Sequence, residues 1–257
     1  TEHCHRLAVA LYADVIDQVI EVSSPEVGEL AKILENTFRA VNIGLVNEMA
    51  VISDRLGIDV WEVIDAAATK PYGFMRFFPG PGLGGHCIPV DPLYLAWKMK
   101  TLQYRTRFIE LAAEVNGEMP RWVVERTAEA LNDARKPLNG SDVLVLGVSY
   151  KPDVDEVRES PAIDIIKILK QRGANVEFHD PFVSVLEIDG EREQSVELTA
   201  ERLERADAVV ITTDHSMVDY GLVGRHASII VDPRNAMTES SGAVVYPIAG
   251  PPRAPGS

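Results

Sequence analysis

An α/β protein is predicted, with a central helical region built on one long helix and a small Rossmann-like parallel α/β domain behind it. Two features carry this. Apolar residues recur at helical spacing through the first half, whereas beyond Lys136 short strand-length apolar runs alternate with capped amphipathic stretches. The expected division is a lead segment at 1–24, the helical region at 25–135, the α/β domain at 136–249 and a tail at 250–257.

The long helix is read from Pro25 to Gly57. Val27, Ala31, Leu34, Phe38, Val41, Leu45 and Ile52 form one apolar row, and Leu30, Ile33, Ala40, Gly44 and Val51 form a second. Ser24 suits the N-cap, Pro25 the first helical position and Gly57 the stop, which gives a rod of about 45–50 Å. Two apolar faces favour a helical core shared between subunits over a purely internal one, so a homodimer through this helix is expected. A shorter helix follows at Asp59 to Ala68. The prolines and glycines from Pro71 to Pro89 then forbid regular structure. Helical pattern resumes near Pro92 and again from Phe108 to Ala134, where Pro120 is expected to break or kink the second stretch. Lys136 to Ser141 reads as a linker. Val143 to Val148, Val176 to His179, Ala208 to Thr213 and Ser228 to Val231 read as strands of a parallel sheet. Between the first two lies a helix from Ala162 to Leu169, capped by Ser160 and Pro161, and charged helix-compatible stretches lie before and between the last two. The Pro-, Gly- and Ala-rich tail from Gly250 to Ser257 is expected to be disordered.

Of the 257 residues 46% are hydrophobic, enough for a sizeable core, and this excludes disordered and collagenous classes. The net charge of -14 would repel polyanions, so no nucleic-acid partner is expected. No apolar run reaches the roughly 20 residues of a membrane helix, and the first residues lack the charged, apolar and small-residue zones of a signal peptide, so no membrane association is expected. Two cysteines, Cys4 and Cys87, make no disulfide framework, which points to a reducing cytoplasm. The chain opens on Thr1 and is expected to be a truncated piece.

The segment GPGLGGHCIPVDP, Gly80 to Pro92, places Cys87 in a glycine-rich turn where backbone can approach a ligand closely. A thiol there can be a nucleophile toward a carbonyl carbon, with Asp91 holding water nearby; on composition alone an inert, small apolar cysteine is the leading alternative. His86 is a weak pointer to zinc, with no CxxC pair or second ligand at suitable spacing, so no metal site is expected. Lys32 and Asn36, four residues apart, share one helix face and could aim at one oxygen, although the spacing by itself favours a solvated lysine beside an ordinary asparagine. Asn42, Asn47 and Glu48 dilute that signal. In the C-terminal domain GVSYKPDVDEVRESP occupies the loop leaving the first strand, where open α/β sheets hold ligands. Lys151, Arg158 and Arg234 are the anion-binding candidates there, beside a helix N-terminus; with no glycine fingerprint in that domain, a phosphate or nucleotide other than a dinucleotide is expected.

Together ELAKILENTFRAVNIGLVNE, GPGLGGHCIPVDP, GVSYKPDVDEVRESP and VDPRN resemble the UDP-glucose/GDP-mannose dehydrogenase family of nucleotide-sugar 6-dehydrogenases, and the resemblance runs from Thr1 to about Pro247. DAAATKPYGF and the cysteine loop look most like its UDP-N-acetylglucosamine 6-dehydrogenase branch. The resemblance implies a UDP-sugar substrate, NAD as cofactor and two successive oxidations of a sugar 6-hydroxyl to a uronic acid through a thiohemiacetal and a thioester on Cys87. It implies that Lys32 stabilises an oxyanion or holds the catalytic water, that Asn36 orients the same oxygen, and that Asp91 assists the water and organises Lys32. Phe77, Phe78, Gly80 and Gly84 match the loop that wraps the nucleotide sugar, and Lys151 and Arg234 match substrate contacts. Arg158 and the backbone of Cys87, Ile88, Pro89 and Val90 match the cofactor side, while Lys70 matches, one residue out of step, a basic group donated across a dimer.

Family members begin with a complete Rossmann domain carrying GxGxxG, and this chain has none; residues 1–24 resemble only the closing strand and helix of that domain. Threonine and glutamate groups supplied by that domain are missing too. Little turnover is expected of the 257 residues alone. A non-catalytic UDP-sugar-binding and dimerising fragment is one alternative, and a UDP-glucose or UDP-N-acetylmannosamine 6-dehydrogenase is another.

Overall fold

The computed structural model describes residues 1–237 and 242–256. Helix α1 (Glu2–Ala13) is capped by Thr1, whose hydroxyl accepts from Cys4 N–H, and none of its residues is buried. No strand forms in 1–24, against expectation, because a single strand there has no sheet to pair with.

Helix α2 (Pro25–Leu56) starts and stops where the capping chemistry predicts. Ser24 Oγ accepts from Val27 N–H, and Gly57 closes the helix in the left-handed region at φ 69°. Its packing is not that of the large apolar row. The buried positions are Asn36, Ala40, Gly44, Val46, Asn47, Ala50 and Ser53, a stripe mostly of small and polar residues, while Val27, Leu34, Phe38, Leu45 and Ile52 are exposed. Small side chains let another backbone come close: a Cβ on Gly44 would lie 3.4 Å from Ala112 Cα of α5 (Arg107–Asp133). The larger apolar face of α2 is therefore left uncovered within one chain.

Helix α3 (Val60–Ala68), capped by Asp59, and α4 (Asp91–Thr101) bracket the irregular segment 69–90. Helix α5 runs through Pro120 without a break, which corrects the first half of the expectation that this proline breaks or kinks it. Proline leaves the carbonyl of Asn116 without its helical partner. That gap is covered by the glycine loop, since a Cβ on Gly82 would lie 3.5 Å from both Asn116 O and Pro120 Cδ.

Beyond α5 come β1 (Asp142–Leu146), α6 (Pro161–Gln171), β2 (Asn175–His179), the hairpin β3 (Val185–Ile188) and β4 (Glu191–Gln194), α7 (Ala200–Arg205), β5 (Ala208–Ile211), α8 (Tyr220–His226), β6 (Ile229–Asp232) and β7 (Val244–Pro247). The main sheet has the order β2-β1-β5-β6-β7, all parallel, with Val143 opposite Val176 on one side and Ala208 on the other. Its faces are buried by α5 and α6 through Val123, Leu131, Ile165 and Leu169, and by α7 and α8 through Leu203 and Val223. Helix α5 thus serves both halves: its first part packs on α2 and its last turns lie in the sheet core.

Two features lay outside the sequence expectation. The β3–β4 hairpin turns on Asp189 and Gly190, both at positive φ, and the fifth strand β7 closes the sheet. The tail is also more ordered than expected. Arg253 exchanges backbone hydrogen bonds with Val245, and its guanidinium reaches Asn235 Oδ1 at 2.9 Å and Asp59 at 3.5 Å. Ser257, at the end of that expected tail, lies outside the described residues. Upstream, Arg126 is buried with Nη1 3.0 Å from Asp54 and Nη2 donating to Gly250 O at 3.0 Å, while Trp122 Nε1 donates to Ile248 O at 2.8 Å. These bonds bind the segment after β7 to α2 and α5.

Candidate active site

The glycine loop is held from both halves of the molecule. On the helical side, Asn47 Oδ1 accepts from Gly80 N–H at 2.9 Å, and Asn47 Nδ2 donates to Asn116 Oδ1 at 2.8 Å. On the other side, Gly85 N–H donates to Arg158 O, and a Cβ on Gly80 would lie 3.1 Å from Arg234 Nη1. The tightest approach is at Gly84, where an added Cβ would lie 2.6 Å from Tyr150 Cβ and 2.9 Å from Glu159 O, so no larger residue fits. The run GPGLGG has the letters of a dinucleotide fingerprint, but no strand leads into it and its glycines face protein rather than an open cradle.

Cys87 is exposed at the end of this loop. Its carbonyl accepts from Asp91 N–H at 3.0 Å, and Asp91 Oδ2 accepts from Asn36 Nδ2 at 2.8 Å. A continuous path therefore runs from the thiol-bearing turn through the first residue of α4 to buried Asn36 on α2. Lys32, one turn away, is exposed and directs its ammonium at Glu35, 3.3 Å distant, rather than at Asp91. Phe77 packs edge-on against Phe38 of α2, and Phe78 stacks against Trp61 of α3, with ring centroids 5.8 and 5.6 Å apart. Lys70, exposed just past α3, lies over the Tyr72 ring. Ile88, Pro89 and Val90 line an apolar cleft of about 640 Å³ whose other walls include Thr37, Trp97, Pro120 and Pro161. The Thr37 hydroxyl is buried there without a partner.

Lys151 and Arg234 stand at the C-terminal ends of the parallel strands. Arg234 Nε donates to Thr212 O at 2.8 Å; burial lowers its guanidinium from the ordinary value, against the attraction of Asp214 and Asp232. Lys151 is exposed, its ammonium 5.4 Å from the Tyr150 ring centroid. Arg158 is held by Glu156, whose two oxygens accept from its Nε at 2.9 and 3.0 Å. Hydrogen bonds from Arg158 bring the Glu156 carboxyl down to about 2, and His86 Nε2 lies 3.7 Å from it.

A cluster that the sequence did not disclose lies under this loop. Asp180, at the end of β2, accepts from the N–H groups of Val148, Ser149, Phe182 and Val183 and lies 3.0 Å from His215 Nε2. Burial pushes its carboxyl up, but the bonds from His215 and the backbone outweigh burial and hold it at about 2. His215 and Asp180 are both buried. Asn47 was the other omission, set aside in sequence as a dilution of the helix signal.

Residues 26–118 match the central domain, and residues 144–239 the UDP binding domain, described for the UDP-glucose/GDP-mannose dehydrogenase family. The chain belongs to that family. A UDP-N-acetyl-D-mannosamine dehydrogenase of Pyrococcus horikoshii is 34% identical over 252 residues, covering 96% of this chain and 57% of the relative. A UDP-N-acetyl-D-glucosamine 6-dehydrogenase of Pseudomonas aeruginosa is 37% identical over 185 residues, covering 72% and 43%. Among solved structures, that of the UDP-D-ManNAc dehydrogenase from Pyrococcus horikoshii superposes with a TM-score of 0.83 at 32% identity, over 96% of this chain and 57% of that one. The chain spans about half the length of the curated relatives it matches. Within the family frame, the site above joins the central-domain match, which holds Asn36, Cys87 and Asp91, to the UDP-binding match, which holds Lys151, Arg158 and Arg234. No described helix is long and apolar enough to cross a membrane.

Proposed function

We propose that this chain forms the thiol-bearing and UDP-sugar-binding part of an NAD-dependent nucleotide-sugar 6-dehydrogenase, which converts the 6-hydroxyl of a UDP-N-acetylhexosamine, UDP-N-acetylglucosamine, to the uronic acid. The observation that carries this is the path from Cys87 through Asp91 to Asn36, on a loop packed against the loop of Lys151. Several relatives carry names of UDP-N-acetylhexosamine dehydrogenases, which supports the acetamido sugar.

Lys151 and Arg234 hold the UDP moiety at the strand ends, and Phe77, Phe78, Gly80 and Gly84 wrap the sugar beside Cys87. The Cys87 thiolate adds to the carbon of the aldehyde formed from the 6-hydroxyl and gives a thiohemiacetal; its oxidation leaves a thioester. Water held by Asp91 cleaves that thioester, with Lys32 and Asn36 steadying the oxygen that gains charge. Asn36 is already fixed for this by its bond to Asp91, while Lys32 must exchange Glu35 for the substrate oxygen.

NAD, when bound, supplies the hydride acceptor. The residues here fit one edge of it: Cys87 to Val90 offer backbone beside an apolar cleft, and Arg158 offers a cation on the adjoining loop once Glu156 releases it. The 257 residues alone are accordingly expected to bind UDP and to give little turnover. A homodimer forms through the exposed apolar face of α2, in a reducing cytoplasm, without nucleic acid or membrane as partner.

The test is acid formation from UDP-N-acetylglucosamine in a polypeptide that also carries the cofactor domain. Cys87→Ser should abolish uronate; unchanged uronate would remove the covalent route. Calorimetry of this chain with UDP and with NAD completes it, and a response to NAD alone would contradict the assignment of Lys151 and Arg234.

A further inference from the structure

The buried His215 cluster has no part in the chemistry above, yet it grips the loop of Lys151 on both sides. Asp153 N–H donates to His215 Nδ1 at 3.0 Å, so Nδ1 is the acceptor and the ring proton sits on Nε2. Nε2 faces Asp180 Oδ2 at 3.0 Å and Ser149 Oγ at 3.1 Å. Ser149 Oγ donates in turn to Lys151 O at 3.0 Å. A serine and an aspartate that meet the same ring nitrogen cannot form a proton relay, which needs them on opposite nitrogens. Holding the backbone is what this geometry can do.

What it holds is strained. Asp153 has φ 61°, in the left-handed region that non-glycine residues avoid. Its N–H is fixed by His215, and its Oδ1 accepts from Ser216 N–H at 2.9 Å, so both ends of the residue are tied to the loop after β5. Ser149 is tied by Asp180 and by Thr213, whose hydroxyl donates to Ser149 O at 2.6 Å. Lys151 lies midway between these two anchors, its carbonyl held by Ser149 and its side chain exposed.

We propose that His215 is a positioning residue for Lys151, setting the ammonium for the diphosphate of UDP through Asp153 and Ser149. This rests on the reading of Lys151 as a UDP contact. Glutamine at 215 keeps a donor near Nε2 but loses the Nδ1 acceptor, whereas asparagine keeps an acceptor near Nδ1.

The experiment is calorimetry of UDP with this chain. Lys151→Ala and His215→Gln should each weaken binding by about tenfold, the double variant no further than either alone, and His215→Asn should recover most of the loss. If His215→Gln binds UDP as tightly as the parent, or if its effect multiplies with that of Lys151→Ala, the proposal is wrong. Should His215→Gln not fold, Ser149→Ala takes its place, with about a threefold loss that Lys151→Ala absorbs; an independent loss overturns the idea. If the parent shows no response to UDP, the UDP reading fails, and amide exchange decides the positioning role separately. Exchange at the amides of Lys151, Asp153 and Val154 should quicken in His215→Gln and slow again in His215→Asn; equal exchange in all three overturns it.

Discussion

A Cβ on Gly84 would lie 2.6 Å from the Cβ of Tyr150, which places the glycine loop of the central region in direct contact with the loop that leaves β1. The thiol-bearing loop and the loop of Lys151 are therefore one packed unit. Gly84→Ala should force them apart, destabilising the protein by about 1–3 kcal/mol and weakening UDP binding together with stability. Urea unfolding and calorimetry check this; a variant as stable as the parent would mean that the loop yields.

Asp180 sets a pH dependence. Its folded value of about 2 lies below the ordinary 3.8, so its contribution is fully present above about pH 4 and is lost as pH falls toward 2. The contribution is about 2 kcal/mol at neutral pH. Asp180→Asn should be less stable than the parent at pH 7, and the gap should narrow in unfolding curves taken at pH 3 and below.

Arg126 is buried between Asp54 and the carbonyls of Pro247 and Gly250. Removing it leaves Asp54 and both carbonyls short of a partner. Arg126→Ala should cost about 3–5 kcal/mol in chemical denaturation and expose the segment after β7 to proteolysis.

Helix α2 displays Leu34 and Leu45 at 66% and 55% exposure, on the face away from its small-residue stripe. Leu34→Lys with Leu45→Lys should turn a dimer into a monomer in sedimentation, with circular dichroism unchanged. A parent that sediments as a monomer would remove the dimer.

What the sequence disclosed was local. Ser24, Pro25 and Gly57 bound α2 through bonds spanning three or four residues, and Ser160 with Pro161 opened α6 through a bond spanning two. The motifs likewise placed Cys87, Asp91 and Asn36 before their contact was visible. What escaped was long-range. Asn47 meets Gly80 and Asn116, and His215 meets Asp153 and Asp180, pairs whose proximity only the finished fold creates. Arg253 was missed for the same reason: a Pro- and Gly-rich composition says nothing of an arginine that finds Asp59 and Asn235. On α2 the second apolar row contained Ala40 and Gly44, which are buried against α5, but periodicity ranks large side chains above small ones and so did not single out the close approach that selects them together with Ala50.

Helix α5, which ends at Asp133 just before the expected division at 136, belongs to both cores, packing on α2 at one end and against the sheet at the other. A swivel at Lys136 to Ser141 would have to tear Val123, Val124 and Leu131 out of the sheet packing. Jaw-like gaping between these two bodies is thus disfavoured. Under the proposed function, a nucleotide sugar would then reach Cys87 without a hinge at 136–141.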